Sequence, residues 1–416
     1  MTVTDGRPIR LGVIGVGRGM SFARASLAAT GMELVALCDK DEKRLAEAAG
    51  SLGVATYTDY DRFLEHDFDA VVLANYFYEH APFAIKALEA GKHVMSETSA
   101  CFTVAQGVAL IEAVERSGCT YMFAENYPYM VFNQEMRRLF QAGKVGTFTY
   151  GEGEYVHPMS ADDRLRISPG LAHWRNWIPA TYYCTHALAP LMCITDTWPT
   201  MVNGFIMPYP KDDPVAQRSP RAGDAASVIM LRMNNGAVVK LLQVYLRGHG
   251  VWVRVHGSRG QMENLRHGNT RMVRLRREQY HEERVDPEEQ IYLPDFPEHH
   301  AEAMATGHGG GDYFMLLRFG EAIRSGQQPY LDVYRGVTMS IVGILAYRSA
   351  LDNSNTIVIP NLSDPAERDR YREDHWNPNP LERTIDSPWP SIEGQIKNTK
   401  QQLDYARSVW DKMGVD

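Results

Sequence analysis

Ile9-Arg10-Leu11-Gly12-Val13-Ile14-Gly15-Val16-Gly17-Arg18-Gly19-Met20 is the stretch on which the fold turns. Residues 9–14 form an apolar run of strand length, residues 15–19 hold three glycines, and a helix-like pattern follows over 20–29. A second apolar run, 34–38, ends in Asp39. Strand, glycine-rich turn, helix and acidic strand end make the first half of a dinucleotide-binding βαβ unit. Gly15 permits the tight turn, and Gly17 lets the backbone approach a pyrophosphate. The helix that opens near Gly19 and Met20 presents free N–H groups and a positive dipole end. Arg18 can add a charge-assisted bond to phosphate. The usual third glycine would fall at position 20, where Met20 stands, with Gly19 adjacent. Asp39 can accept hydrogen bonds from the adenine-ribose hydroxyls and would repel a 2′-phosphate, so NAD is favoured over NADP.

Outward from this stretch, strand and helix patterns keep alternating to about residue 145. Strands are expected at 9–14, 34–38, 70–73, 93–95 and 121–124, and helices at 20–29, 42–52, 78–90 and 104–117. Thr103 reads as an N-cap, and Gly91 and Gly118 as C-terminal caps. This is a doubly wound α/β Rossmann domain with a parallel sheet. Asn75, Glu97 and Asn126 are assigned to its cofactor side, since Glu97 and Asn126 follow strand ends at the carboxyl edge where ligands bind.

From residue 146 the texture changes to strand runs at 147–155, 201–206, 227–233, 237–245 and 251–256, with Asn234-Asn235-Gly236 as a hairpin turn. The expected partition is a Rossmann domain at 1–145, an α+β domain with a large open, mainly antiparallel sheet at 146–360, and a C-terminal extension at 361–416. Helices at 312–324 and 333–351 are expected to pack back on the first domain. The tail, which gains hydrophobic periodicity only at 396–410, is expected to wrap the surface or reach a partner chain.

Bulk composition narrows the function classes. The chain of 416 residues is 44% hydrophobic and 23% charged, with a net charge of −8, and has no general attraction for nucleic acid or anionic membranes. Arg271, Arg274, Arg276 and Arg277 read as the solvated side of a strand. The five cysteines form no CxxC pair, which argues against a zinc site or a disulfide framework and for buried thiols in a reducing cytoplasm. The N-terminus has no apolar signal core, and the run 337–347 is too short to span a bilayer.

Ala87-Leu88-Glu89-Ala90-Gly91-Lys92-His93-Val94-Met95-Ser96-Glu97, with the opening glycines and Asp39, resembles the Gfo/Idh/MocA family (glucose–fructose oxidoreductase and inositol dehydrogenase) over about residues 8–350. The resemblance implies bound NAD(P), a sugar-type substrate, and a homodimer or homotetramer built on the open sheet. Two of that family's catalytic positions differ here. Its Glu-Lys-Pro reads Glu97-Thr98-Ser99, and the aspartate four residues before its histidine reads Tyr182, which leaves His186 alone. Tyr183-Cys184-Thr185-His186-Ala187-Leu188-Ala189-Pro190 and His308-Gly309-Gly310-Gly311-Asp312 resemble the family's glycoside hydrolase 109 branch more closely. Glu125-Asn126 and Gly153-Glu154-Tyr155-Val156-His157 also fall where that branch has similar residues.

Oxidation of a carbinol needs a proton acceptor as well as a hydride acceptor, and a histidine titrates in the right range. His186 is therefore the expected general acid/base, with Tyr183 to hold a hydroxyl or share the proton. A redox-neutral glycosidase or lyase would oxidise C3, remove the acidified C2 proton, expel the C1 group, add water and return the hydride. Tyr155 is the candidate second base, provided that a neighbouring cation lowers its pKa. His157, Trp174, Arg175, His308 and Asp312 are expected at the substrate, with Trp174 as a stacking platform and Arg175 as a hydrogen-bonding arm. No metal site is expected. The leading expectation is an NAD-dependent oxidoreductase acting on a carbohydrate; the rivals are the redox-neutral enzyme and a non-catalytic NAD-binding sensor.

Overall fold

The computed structural model describes residues 6–24, 27–50, 52–248, 250–278 and 287–414. Numbered in chain order, strands β1 (Ile9–Ile14), β2 (Met32–Cys38), β3 (Ala55–Tyr57), β4 (Ala70–Leu73), β5 (His93–Ser96) and β6 (Tyr121–Phe123) form one parallel sheet in the order β3-β2-β1-β4-β5-β6. The strands read as near-continuous apolar runs because helices cover both faces. The order reverses between β1 and β4, and this opens a crevice at their carboxyl ends. The expected helix over 20–29 is broken. An α-helical turn runs Met20–Ala23 and a 3₁₀ turn Leu27–Thr30, where the Thr30 hydroxyl bonds back to the Leu27 carbonyl. Residues 25 and 26 lie outside the described residues. Helix Val104–Ser117 starts on the Thr103 side chain, which accepts from the Gln106 amide, and stops at Gly118 in the left-handed region.

The second sheet has nine strands: β7 (Phe148–Val156), β8 (Pro199–Met207), β9 (Ala226–Met233), β10 (Val238–Val244), β11 (Gly250–Gly257), β12 (Gly260–Asn264), β13 (Val273–Arg277), β14 (Glu289–Tyr292) and β15 (Ile357–Val358). Their order is β14-β13-β12-β11-β7-β10-β9-β8-β15, and every pairing is antiparallel except β7 with β10. Arg274 of β13 pairs with Glu263 and Glu289, and Arg276 with Glu288, so these arginines are ion-paired on the strand surface.

Two helices cover one face of this sheet because two strand glycines let them approach. A Cβ on Gly153 of β7 would lie 2.1 Å from the Ala187 carbonyl oxygen of helix Thr185–Thr195. A Cβ on Gly204 of β8 would lie 2.0 Å from the Ala346 carbonyl oxygen of helix Val333–Leu351. Helix Val333–Leu351 also reaches the first sheet, where the Ala100 amide donates to Ser340 Oγ at 2.9 Å. Helix Gly311–Ser325 buries Met315, Leu316, Phe319 and Ile323 against β1 and β2. The other sheet face leaves Met201 and Phe205 exposed. Beyond residue 360 the chain wraps its own surface: Arg368 pairs with Glu115, Arg372 with Glu112, and helix Lys400–Met413 packs on helix Ala161–Ile167. All five cysteines are free and buried. Among the described residues no helix is long and apolar enough to cross a membrane.

Candidate active site

The glycine turn after β1 is shaped by its contacts. Gly15 has φ +89°, and a Cβ there would sit 2.3 Å from the Ala74 carbonyl oxygen, so only glycine fits. Gly17 has no atom within 4 Å of its would-be Cβ, which leaves the approach to its backbone open. A Cβ on Gly19 would meet the Gly15 carbonyl at 2.3 Å and Val13 at 2.6 Å. Gly19 thus does the close packing that the spacing assigned to position 20. Met20 is the first helical residue and lies buried in the core beside Val13 and Val16. Asp39 accepts from the Val16 amide at 2.8 Å and the Asp41 amide at 3.0 Å, bracing the turn from the end of β2. Two buried amide oxygens along the crevice, Asn75 Oδ1 and Asn126 Oδ1, have no hydrogen-bond partner. Open backbone at Gly17, an acid at the β2 end and orphaned acceptors at the β4 and β6 ends fit a dinucleotide.

Arg18 is committed to protein. Its Nε donates to Glu97 Oε1 at 2.7 Å, and its two terminal nitrogens donate to Asp312 at 2.7 and 2.8 Å. Its guanidinium also lies 4.5 Å from the Phe22 ring centre. Asp312, with 0% side-chain exposure, takes a further bond from His308 at 3.1 Å. Arg18, expected at the phosphate, and His308 and Asp312, expected at the substrate, are bonded to one another. The three form a latch between the glycine turn and helix Gly311–Ser325. Burial opposes the Asp312 charge, but Arg18 and His308 outweigh it and hold the carboxyl well below the usual range. The loop is built for this. His308, Gly309 and Gly310 all have positive φ, and a Cβ on Gly307 would strike Asp312 Oδ2 at 2.6 Å.

His186, in the first turn of helix Thr185–Thr195, bonds through Nδ1 to Glu125 Oε1 at 2.7 Å. Glu125 follows β6, and its side chain is 0% exposed. Sequence reasoning placed only Glu125-Asn126 in the neighbourhood and did not give Glu125 a role. Tyr182, where the aspartate was expected, is a buried core residue, and the carboxylate comes from the first sheet instead. Tyr127 stacks on the His186 ring at 4.7 Å, while Tyr155 and Tyr183 meet it edge-on at 4.7 and 5.2 Å. His157 lies 5.7 Å from Tyr155. Tyr155 does not meet the condition set for a second base. Burial and the Tyr183, Tyr127 and Tyr245 hydroxyls push its pKa far up, against a smaller downward pull from Arg175. Trp174 offers no free stacking face. It is 8% exposed, Arg175 lies 4.2 Å over its ring, and Phe77 and His173 pack at 4.9 and 5.8 Å. Arg175 donates to the Tyr183 hydroxyl at 3.4 Å. Burial, with Arg175, Lys40 and Arg44 nearby, lowers His173 to about 3, so its ring is neutral. An open cleft of about 420 Å³ lined by Pro128, Arg137, Arg318 and Tyr330 lies elsewhere and touches none of these groups.

Two family descriptions match the chain in succession: an oxidoreductase family with an NAD-binding Rossmann fold over residues 9–125, and the C-terminal domain of glycosyl hydrolase 109 over residues 172–366. The first match is to the Gfo/Idh/MocA oxidoreductases and the second to the glycosyl hydrolase 109 branch, in agreement with the resemblance carried by the sequence motifs. It is 26% identical over 400 residues to a glycosyl hydrolase family 109 protein of Shewanella baltica, covering 85% of each chain. It is 26% identical over 415 residues to one of Saccharopolyspora erythraea, covering 92% of this chain and 87% of that protein. The fold superimposes on levoglucosan dehydrogenase in complex with NADH and levoglucosan with a TM-score of 0.72, at 20% identity, over 85% of this chain and 100% of that one. The chain accordingly has an NAD-binding Rossmann fold followed by a mixed, mostly antiparallel second sheet.

Proposed function

We propose that this protein is an NAD-dependent oxidoreductase acting at a ring carbinol of a carbohydrate, with His186 as general acid/base and Glu125 holding it in place. The observation that carries this reading is the 2.7 Å bond from His186 to a fully buried carboxylate at the carboxyl edge of the first sheet. With Nδ1–H donating its hydrogen bond to the Glu125 carboxylate, Nε2 is free to accept the substrate hydroxyl proton, and the carboxylate stabilises the imidazolium that forms. Bound NAD supplies the hydride acceptor. Gly15, Gly17, Gly19 and Asp39 would hold its adenosine and pyrophosphate side, and Asn75, Glu97 and Asn126 the remainder. Tyr155 and Tyr183 act as hydroxyl donors that orient the sugar.

The match to glycosyl hydrolase 109 supports a second reading, in which the same residues serve net cleavage of a glycosidic bond with the hydride returned in each turnover. A sensor has no use for a buried carboxylate holding a histidine. The five buried thiols suit a reducing compartment such as the cytoplasm, and the open sheet face around Met201 and Phe205 suits a homodimer or homotetramer.

Sugars and aryl glycosides incubated with the purified protein separate the readings. Stoichiometric NADH marks the dehydrogenase. Aglycone release without net NADH, with solvent deuterium at C2, marks the redox-neutral enzyme. His186→Ala should abolish either, and Glu125→Gln should lower kcat by about 10²-fold or more with NADH affinity unchanged. Full activity in either variant would refute the dyad.

A further inference from the structure

Three guanidiniums gather beside the His186 site, and among the described residues none has a carboxylate partner. Arg164 is 4% exposed. It donates through Nη1 to the Tyr209 hydroxyl at 2.5 Å, lies 5.4 and 5.2 Å from the Tyr209 and Tyr245 ring centres, and leaves Nε unpartnered. Arg221 lies 4.3 Å from the Tyr209 ring centre, donates to the Gly223 carbonyl at 3.3 Å, and also leaves Nε unpartnered. Arg175 covers the Trp174 ring at 4.2 Å and makes one long bond, to the Tyr183 hydroxyl. Of the nearby acids, Glu393 is exposed and makes no ion pair with Arg221, and Asp213 and Asp224 are already engaged. Asp213 pairs with Arg247 and accepts from the Val215 and Ala216 amides, and Asp224 is held by Ser391 and the Ile392 amide.

Aromatic faces offset only part of the cost of removing a guanidinium from water, on the order of 1–2 kcal/mol for each cation–π contact. A buried cation without a counter-charge is normally paired or bound to something. The guanidinium fork matches the oxygens of a carboxylate, sulfate or phosphate. Arg175 and Arg221 are both half-buried where Arg164 is fully enclosed, and of the two half-buried members Arg175 is the one that bonds Tyr183. It also shares a neighbour with the reacting histidine, since Arg175 lies 5.9 Å and His186 5.2 Å from the Tyr183 ring centre. One sugar ring held at His186 therefore brings a ring substituent within reach of Arg175.

We propose that the substrate is an acidic sugar, whose carboxylate, sulfate ester or phosphate ester is seated on Arg175 with Arg164 and Arg221 supplying the surrounding positive field. This rests on the carbohydrate reading above. The test measures binding to the NADH-loaded protein by quenching of tryptophan fluorescence, with Trp174 as the adjacent reporter. The probes are methyl glucoside, methyl glucuronide, glucose 6-sulfate, glucose 6-phosphate and inorganic sulfate. At least one acidic sugar should bind about tenfold tighter than the neutral glucoside. That preference should shrink between about 50 and 500 mM salt. Arg175→Gln should remove the preference, bringing the acidic and neutral probes to the same affinity, and Arg175→Lys should restore part of it. Which acidic probe binds best tells the three oxyanions apart. Neutral glucoside binding as tightly as every acidic probe overturns the proposal and leaves the carbohydrate reading intact. Sulfate binding that depends on Arg175, with no sugar bound, overturns the carbohydrate reading and keeps the anion site. Binding of none of the probes overturns both.

Discussion

At the residue scale the site is organised by two buried carboxylates that bridge distant parts of the chain. Glu125 reaches His186 across 61 residues, and Asp312 reaches Arg18 across 294. Neither pairing could be read from spacing, because one is made where the His186 helix of the second sheet meets the end of β6 and the other where helix Gly311–Ser325 packs back on the first sheet, and neither by a local pattern. The types were legible, and the partners were not: Arg18 and Asp312 stood out as ligand contacts because an isolated charge invites that reading. The Arg18–Asp312 latch has a pH signature. Asp312 is held below its unfolded carboxyl value of about 3.9, so its contribution is complete above that pH and is lost as pH falls toward the folded value. Asp312→Asn leaves a partly buried Arg18 with Glu97 alone and should cost about 3–5 kcal/mol near neutral pH. Denaturation with urea should show that deficit constant above about pH 5 and narrowing below about pH 4. A deficit that stayed flat down to about pH 3 would show that the ion pair is not its source.

At the scale of elements, local signals were read well and long-range pairings poorly. Helix Val104–Ser117 carries its caps in the sequence, and the structure places it and helix Val333–Leu351 with the expected bounds. The hairpin at Asn234-Asn235-Gly236 joins β9 to β10, with Gly236 at φ +88°. By contrast, the parallel pairing of β7 with β10 leaves no local trace, since nothing between residues 156 and 238 marks them as neighbours. The short strands β3 and β15 are edge additions of three and two residues, too brief to show a period. Helix Thr185–Thr195, which carries His186, was missed because all of its residues are buried, so its apolar positions show no face. Its seat on the sheet depends on Gly153. Gly153→Ala would force the new methyl against the Ala187 carbonyl and push the His186 helix outward. Overpacking of this kind should cost about 1–3 kcal/mol. It should also lower kcat while NADH titration shows unchanged affinity, because the cofactor turn lies on the other sheet. Wild-type kcat in a folded Gly153→Ala protein would mean that the helix position does not set the dyad.

At the scale of the whole molecule, the C-terminal wrap ties the tail to the substrate side. Trp410 is buried against Leu165 and donates from Nε1 to the Leu165 carbonyl at 3.1 Å, and Tyr405 bonds Asp162. Both contacts fall on helix Ala161–Ile167, which also carries Arg164. Farther back, Asn398 accepts from the Arg221 amide at 2.9 Å, so the tail braces two of the three unpaired arginines. Among the described residues, the glycine turn, Asp39 and Asn75 make no contact of this kind with the tail. Trp410→Ala should therefore cost roughly 3 kcal/mol, as for a large aromatic removed from a packed site. Its functional cost should be one-sided. NADH should bind as in the wild type, while substrate KM rises and thermal unfolding begins earlier. A chain ending after Asn398 should behave likewise and more strongly, because it loses the whole helix Lys400–Met413. Equal loss of NADH and substrate binding in Trp410→Ala would instead mean that the tail supports the two sheets together, with no selective hold on the arginine side.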